Sequence, residues 1–254
     1  MSSILVLKSN FLEHSIKILN IHFHRENKLD WLKLILMVLI PYVLVIYAYW
    51  MRAHGKPSWS IRKFIHTLGL IIVGVYASYL ETLSEILIVL FMFLTILLVF
   101  TLIPRVNLFF TLIEMGTRQG EKEVDSIINT TLTSTGMIIL LLVFFDVRWI
   151  FLAGALSVGL GDGLGEFIGK PYGKHKFNII SPKSVEGSIG VFAGTFIGVL
   201  FAFLSLNSTS LNDYELLILI IASLTAMIIE ALSISFMDNI LMPWAVAGIL
   251  WFCI

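Results

Sequence analysis

Charged side chains and cysteine are both scarce in this 254-residue chain. Asp, Glu, Lys and Arg make up 13% of the residues, against roughly 25% in soluble domains, and 58% of the residues are hydrophobic. So little charge cannot cover a water-facing surface, which excludes a soluble globular enzyme and a disordered regulator. The single cysteine, Cys253, excludes disulfides within one chain and a cysteine-based metal site. The composition therefore predicts a polytopic membrane protein.

Common nucleotide- and metal-binding motifs are missing as well. The chain contains no G-x-x-x-x-G-K-S/T phosphate loop, no H-E-x-x-H, no C-x-x-C and no protein-kinase motif set. Its 17 basic and 17 acidic residues balance, which predicts no nucleic-acid partner. A nucleotide that binds to this protein must therefore use a site of another kind, built within a membrane domain.

Long hydrophobic runs fill most of the chain beyond residue 30. About 20 residues are needed to cross the hydrocarbon core of a bilayer. Seven runs are long enough, namely Trp31–Trp50, Phe64–Leu80, Ile86–Ile103, Ile127–Phe145, Trp149–Gly169, Ser188–Leu206 and Tyr214–Phe236. An eighth run, Ile240–Ile254, barely spans. The sequence predicts an all-α membrane bundle of about eight transmembrane helices, forming a single domain over residues 31–254.

The first 30 residues interleave apolar and basic side chains instead of forming a signal peptide. This pattern predicts an amphipathic segment over residues 1–30 that lies in the membrane interface.

Lysine and arginine concentrate in alternate loops, which predicts the orientation in the membrane. Eleven of the 17 basic residues lie in loops 51–63, 104–126 and 170–187. The intervening loops carry only Arg148. We therefore expect the basic loops in the cytosol and both termini outside, although four basic residues in the first 30 oppose this orientation. The membrane would be the plasma membrane of a prokaryote, or the endoplasmic reticulum or another organelle.

Ionisable residues collect at the predicted cytosolic ends of the spans. Such residues cost several kcal/mol in lipid unless they meet water or a partner, so they are candidates for function. Asp162 and Glu166 share one helix face, because they are four residues apart. The other members are Arg62, Lys63, His66, Glu230 and Asp238, and the polar Asn239 follows the last of these. Because all of these residues lie on the predicted cytosolic side, the sequence predicts a single polar site at the cytosolic interface.

Glycine follows a pattern that predicts close helix packing. Eleven of the 18 glycines lie between Gly154 and Gly198. They recur every four residues at 161, 165, 169 and 173, and again at 190, 194 and 198. This spacing lets two helix backbones approach closely in lipid, with Asp162 and Glu166 flanking the contact.

The segment between these two spans is typical of a polyphosphate-binding loop. Lysines supply positive charge, and glycines and the start of a helix present backbone N–H groups to an anion. The candidate nucleotide-binding residues are Lys170, Lys174, Lys176, Lys183, Ser184, Glu186, Gly187 and Ser188. Carboxylates opposite such a loop suit Mg²⁺ carried by substrate phosphates, and we assign Asp162, Glu166 and Asp238 to the metal.

Four short motifs resemble those of the phytol kinase, dolichol kinase and CTP-dependent diacylglycerol kinase family. Arg62–His66 looks like the R-K-x-x-H that opens an early helix in that family. Gly161–Gly169 is similar to its G-D-x-x-A/G-D/E-x-x-G, and Lys183–Ser188 is similar to its K-S/T-x-E/A-G-S/T. Glu230 followed by Asp238-Asn239 and Pro243 resembles its late E…D-N-x-x-x-P element, although Met237 stands where the family often has a second aspartate.

A second resemblance, to phosphatidate cytidylyltransferases, rests on the segment 173–187. That family continues into K-D-x-G/S/A and an H-G-G…D-R-x-D tail, and neither is present here. The kinase resemblance covers residues 62–243 in family order, so we place it first and keep CDP-lipid synthesis as the alternative.

The kinase resemblance implies transfer of a phosphoryl group from a nucleoside triphosphate, CTP by preference, to a lipid alcohol such as phytol, geranylgeraniol, dolichol or diacylglycerol. Arg62 or Lys63 would stabilise the transferring group, and Mg²⁺ would be held by the three acids named above. His66, Asp162 or Glu230 would orient or deprotonate the alcohol, and the sequence does not choose among them. A small-anion transporter and a non-catalytic assembly subunit are the hypotheses from other classes, and the former would need polar groups at the bilayer midplane.

Overall fold

The structure is a computed structural model that describes residues 31–102, 114–115, 117, 123–207, 210–233 and 237–254. Within these ranges the chain forms eight helices and one small hairpin. The helices are α1 Trp31–Ala53, α2 Ser58–Ser78, α3 Leu83–Leu102, α4 Glu123–Val143, α5 Arg148–Tyr172, α6 Val185–Leu206, α7 Asp213–Leu232 and α8 Asp238–Cys253. Six of them are long and apolar enough to cross a membrane; α3 and α8 are not counted among these. The all-α, membrane-like bundle predicted from the sequence is thus found, and the predicted segment 1–30 lies outside the described residues.

Helix α5 is central to the bundle. Within its most apolar stretch 72% of the residues are buried inside the protein, against 22–44% for the other five candidate spans. Its first part, from Trp149 to Leu156, is buried throughout, and α2, α6 and α8 pack around it. The polar half of α5, which ends at Tyr172, lies at the same end of the bundle as the start of α6.

The middle of α5, Ser157–Asp162, is π-helical, with α-helical turns before and after it. The Thr195 hydroxyl of α6 donates a hydrogen bond to the Ser157 carbonyl at 3.4 Å. A π-helical turn widens the helix and shifts the direction of the side chains that follow it, and such turns are common at functional sites. Here it immediately precedes the pair Asp162 and Glu166.

The glycine spacing predicts a tight α5–α6 contact, and the structure confirms it. A Cβ atom at Gly190 would lie 2.9 Å from the Leu164 carbonyl oxygen, and one at Gly194 would lie 2.7 Å from the Leu160 carbonyl carbon. On the other side of α5, a Cβ at Gly163 would lie 2.8 Å from Thr67 Oγ1 of α2. Helix α5 therefore packs closely against α2 on one side and α6 on the other, because a side chain at any of these glycines would collide with the neighbouring helix.

The segment between α5 and α6 forms a two-stranded antiparallel hairpin, β1 Lys176–Asn178 and β2 Pro182–Ser184. Lys176 pairs with Ser184, and Phe177 pairs with Lys183. Side chains alternate between the two faces of a strand, so Lys176 and Lys183 point to opposite faces of the hairpin.

Side-chain caps fix the starts of the last long helices. The Ser184 hydroxyl accepts a hydrogen bond from the Gly187 N–H at the start of α6. Asn212 and Glu215 form a reciprocal capping box at the start of α7, with both hydrogen bonds at 2.9 Å. These caps satisfy backbone N–H groups that the helices themselves leave unpaired.

Candidate functional site

The charged residues singled out in the sequence meet at one end of the bundle. The start of α2, the end of α5, the hairpin, the end of α7 and the start of α8 all contribute. We call this group the ion cluster, and it comprises Arg62, Lys63, His66, Asp162, Glu166, Lys170, Lys183, Glu230, Asp238 and Asn239.

Lys63 lies at the centre of the ion cluster and is 1% exposed. Its ammonium is 2.6 Å from Asp162 Oδ2 and 2.9 Å from Glu166 Oε2. A buried ammonium is tolerated only when acids compensate it, and here two do so. Lys63 therefore holds both carboxylates in place. The phosphate contact that the sequence left open for it stays a prediction.

Glu166 binds two further cations. Arg62 donates to both of its oxygens, at 2.8 and 3.2 Å, and the Lys170 ammonium is 2.6 Å from Oε1. Lys170 also lies 4.7 Å from the centre of the Trp59 ring. Three cations thus converge on one carboxylate, which leaves an excess of positive charge on this side of the cluster.

His66 connects α2 to the start of α8. Its Nε2 atom is 3.3 Å from Asn239 Oδ1 and 3.8 Å from Asp162 Oδ2. Asp238 is 4% exposed, and its Oδ1 accepts a hydrogen bond from the Asn239 N–H. The structure thus brings His66 and the Asp238-Asn239 pair beside Asp162.

Lys183 points from the hairpin into the protein and pairs with Glu230 of α7. Its charge also acts on Asp162, which places this pair beside the rest of the ion cluster. The second carboxylate oxygen of Glu230 is buried and has no hydrogen-bond partner among the described residues.

Lys174 and Lys176 are exposed, and no ion pair involving either is found among the residues that the structure describes. Glu186 accepts hydrogen bonds from the backbone and ring of His175, at 3.2 and 2.7 Å, and so ties the start of α6 to the hairpin. The sequence suggested that Lys174, Lys176 and Lys183 act together, whereas the hairpin turns Lys183 inward and leaves the other two at the surface.

The start of α6 contributes polar groups of two kinds. Ser184 and Gly187 are hydrogen-bonded to each other, and Gly187 packs against Gly169. The hydroxyl of Ser188 is buried without a partner in the described part of the chain. A helix N-terminus attracts anions through its N–H groups and its dipole. Among the nucleotide-binding residues predicted at the start of α6, Ser188 therefore has a hydroxyl that forms no hydrogen bond with the described residues.

The acids of the ion cluster were assigned to Mg²⁺ from the sequence, and this assignment stays a prediction. Among the described residues, no group of three or more His, Cys, Asp or Glu side chains is arranged to hold a metal unaided. Mg²⁺ commonly takes one or two protein carboxylates and completes its coordination with water and phosphate oxygens. Asp162 and Asp238 supply hard oxygen atoms of the kind this ion prefers.

Comparison of the chain with protein-family models, curated proteins and solved structures gives no match.

Two site residues were not assigned a role from the sequence. Trp59 lies three residues before Arg62 on α2, so helical spacing was a signal for it. Asn239 was noted beside Asp238 and within a motif, but without a role, because its contact with His66 joins residues 173 positions apart.

Proposed function

We propose that this protein is a membrane lipid-alcohol kinase that transfers the terminal phosphoryl group of CTP to an isoprenoid alcohol or diacylglycerol. The observation that carries the proposal is the convergence of Arg62, Lys63 and Lys170 on Glu166, one turn from Asp162, within a membrane bundle. Phosphoryl transfer depends mainly on positioning and on neutralising phosphate charge, and such a cluster supplies both. The order and spacing of the four motifs support the choice of this family.

Binding of the nucleotide exchanges partners within the ion cluster. Arg62 and Lys170 bind the phosphates in place of Glu166, with the Ser188 hydroxyl as a further donor. Lys174 and Lys176 lie at the surface, where they attract the anion before it enters. Lys63 is buried and keeps the two α5 carboxylates in place.

Asp162 and Asp238 would hold Mg²⁺, and Glu166 would become available to it when Arg62 and Lys170 bind the phosphates. When bound, the metal neutralises charge on the phosphate oxygens. The alcohol places its hydroxyl at the ion cluster and its apolar tail along the lipid-facing helices, which expose many large hydrophobic side chains.

The orientation in the membrane follows the distribution of positive charge. We infer that α3 and α8 also cross the bilayer, which gives eight spans and puts the hairpin and the ion cluster at the cytosolic face. The nucleotide then arrives from the cytosol.

The test is a label-transfer assay with purified protein, Mg²⁺ and four alcohols: phytol, geranylgeraniol, dolichol and diacylglycerol. CTP labelled in the γ-phosphate is expected to give a labelled lipid phosphate with at least one of them. CTP labelled in the α-phosphate is expected to leave the lipid unlabelled.

A second measurement separates an enzyme from a transporter or an assembly subunit. CTP with Mg²⁺ is expected to raise the melting temperature of the purified protein, and CMP is expected to raise it less. With phosphatidate as the acceptor, entry of the α-label into lipid together with release of pyrophosphate from CTP would instead identify a cytidylyltransferase. Absence of both transfer and stabilisation would reject the proposal.

A further inference from the structure

Glu230 holds a carboxylate oxygen that the folded protein leaves without a partner. The residue is 7% exposed, its Oε1 pairs with Lys183, and its Oε2 is buried with no hydrogen-bond partner among the described residues. Burying a polar atom without a partner is costly, so such an atom calls for an explanation. An absent ligand at the ion cluster is the explanation that its position favours.

The other described acids of the ion cluster are already engaged. Both oxygens of Glu166 accept hydrogen bonds from cations, and Asp162 Oδ2 is 2.6 Å from the Lys63 ammonium. Asp238 accepts from the Asn239 N–H. Glu230 is therefore the acid among them whose buried oxygen awaits a donor.

Charge balance indicates which kind of donor it is. Lys183 already compensates the single negative charge of Glu230, so a second cation beside Oε2 would meet the Lys183 ammonium at close range. A neutral O–H group satisfies the oxygen without adding charge.

We infer that Glu230 Oε2 accepts the hydroxyl hydrogen of the lipid alcohol and is the base of the reaction, an inference that rests on the proposed kinase function. The alcohol oxygen forms a bond to the γ-phosphorus, and the bond from that phosphorus to the β,γ-bridging oxygen breaks. The electron pair of the broken bond leaves with CDP. The hydroxyl proton passes to Glu230 Oε2 and is released to water after the products leave. His66, held by Asn239, and Asp162, held by Lys63, orient the site instead.

Glu230→Gln keeps the shape of the side chain and removes its basicity. We expect kcat with the best of the four alcohols to fall at least ~100-fold, the lower end of the usual contribution of a general base. The Kd of labelled CTP with Mg²⁺ is expected to change less than ~3-fold, because the base acts on the alcohol and not on the nucleotide. Glu215→Gln, at the other end of the same helix, is the matched control and should keep the wild-type kcat.

Glu230→Asp keeps the charge opposite Lys183 and withdraws the oxygen by one methylene, so it tests the inference even where the glutamine variant fails to fold. It is expected to lower kcat, because the shorter side chain no longer reaches the alcohol hydroxyl. A wild-type kcat in either variant would overturn the inference. A loss of CTP and Mg²⁺ binding as large as the loss of turnover would also overturn it, because Glu230 would then be a metal ligand. Failure of the proposed function is distinct, because the wild type itself would then transfer no γ-label.

Discussion

Lys63 connects two acids of the ion cluster although only 1% of the residue is exposed. Its ammonium is shared by Asp162 and Glu166, which lie one turn apart on α5. Removing one partner from a buried ion pair leaves uncompensated charge, whereas an exposed pair contributes little because water and salt screen it. The chain offers a direct comparison, because Arg52 and Glu114 form a pair whose side chains are 46% and 58% exposed.

We predict that Lys63→Met lowers the free energy of unfolding by about 3–5 kcal/mol, because two acids lose their buried counter-ion. Arg52→Ala is expected to lower it by no more than about 1 kcal/mol. Denaturant unfolding of the purified variants in one detergent measures both values. Similar small losses in the two variants would contradict the central position assigned to Lys63.

The arrangement around Lys63 was only partly predictable from the sequence. The one-turn spacing of Asp162 and Glu166 and the basic start of α2 indicated a shared site. That Lys63 pairs with both acids while Arg62 pairs only with Glu166 depends on how α2 packs against α5, which local sequence does not specify.

At the scale of elements, the α5–α6 contact determines where the acids of α5 lie. A Cβ at Gly194 would overlap the backbone at Leu160, two residues before Asp162. Backbone atoms cannot move aside as a flexible side chain can, so even one methyl group forces the helices apart. Gly248 in α8 offers a matched control, because a Cβ added there would meet nothing within 4 Å among the described residues.

We predict that Gly194→Ala lowers the free energy of unfolding by about 1–3 kcal/mol through overpacking. Gly248→Ala is expected to be neutral or to stabilise by up to about 1 kcal/mol, since alanine favours helix over glycine. Thermal unfolding in detergent compares them. Equal stability of the two variants would show that the α5–α6 contact is looser than described.

The four-residue glycine spacing predicted this contact because a period of four follows one face of a helix. The π-helical turn was not predicted from the sequence. The hairpin was also missed. Its two strands have three residues each, which is too short for a period-two pattern to be visible, and its register decides that Lys183 faces Glu230.

At the scale of the whole molecule, the two ends of the bundle differ in chemistry. The 22 residues of α6 separate the hairpin from the loop before α7 by ~33 Å, about the thickness of the hydrocarbon core. The ion cluster lies at the hairpin end. The distribution of lysine and arginine favours a cytosolic position for that end.

We predict that a cysteine at Lys176, in a Cys253→Ser background, reacts with a membrane-impermeant maleimide only after right-side-out vesicles are permeabilised. A cysteine at Ser210 is expected to react in intact vesicles, because it lies at the opposite end of α6. Gel-shift labelling reads out both variants in parallel. The reverse pattern would show that the site faces away from the cytosol.

The convergence of distant residues was the part of the site that the sequence predicted best. Alternate basic loops placed Arg62, Asp162 and Glu230 at one membrane face, and the folded chain brings these three elements together. The pairing of each acid with a particular base could not be predicted, because it depends on side-chain directions at the ends of five separate elements.

The central claim is that the ion cluster carries out phosphoryl transfer, and one comparison tests it most directly. Wild type, Asp162→Asn and Arg52→Ala are given γ-labelled CTP, Mg²⁺ and the best of the four alcohols under identical conditions. The account predicts labelled lipid phosphate with wild type and Arg52→Ala, and a loss of at least ~100-fold with a folded Asp162→Asn. Undiminished transfer by Asp162→Asn, or no transfer by the wild type, would contradict it.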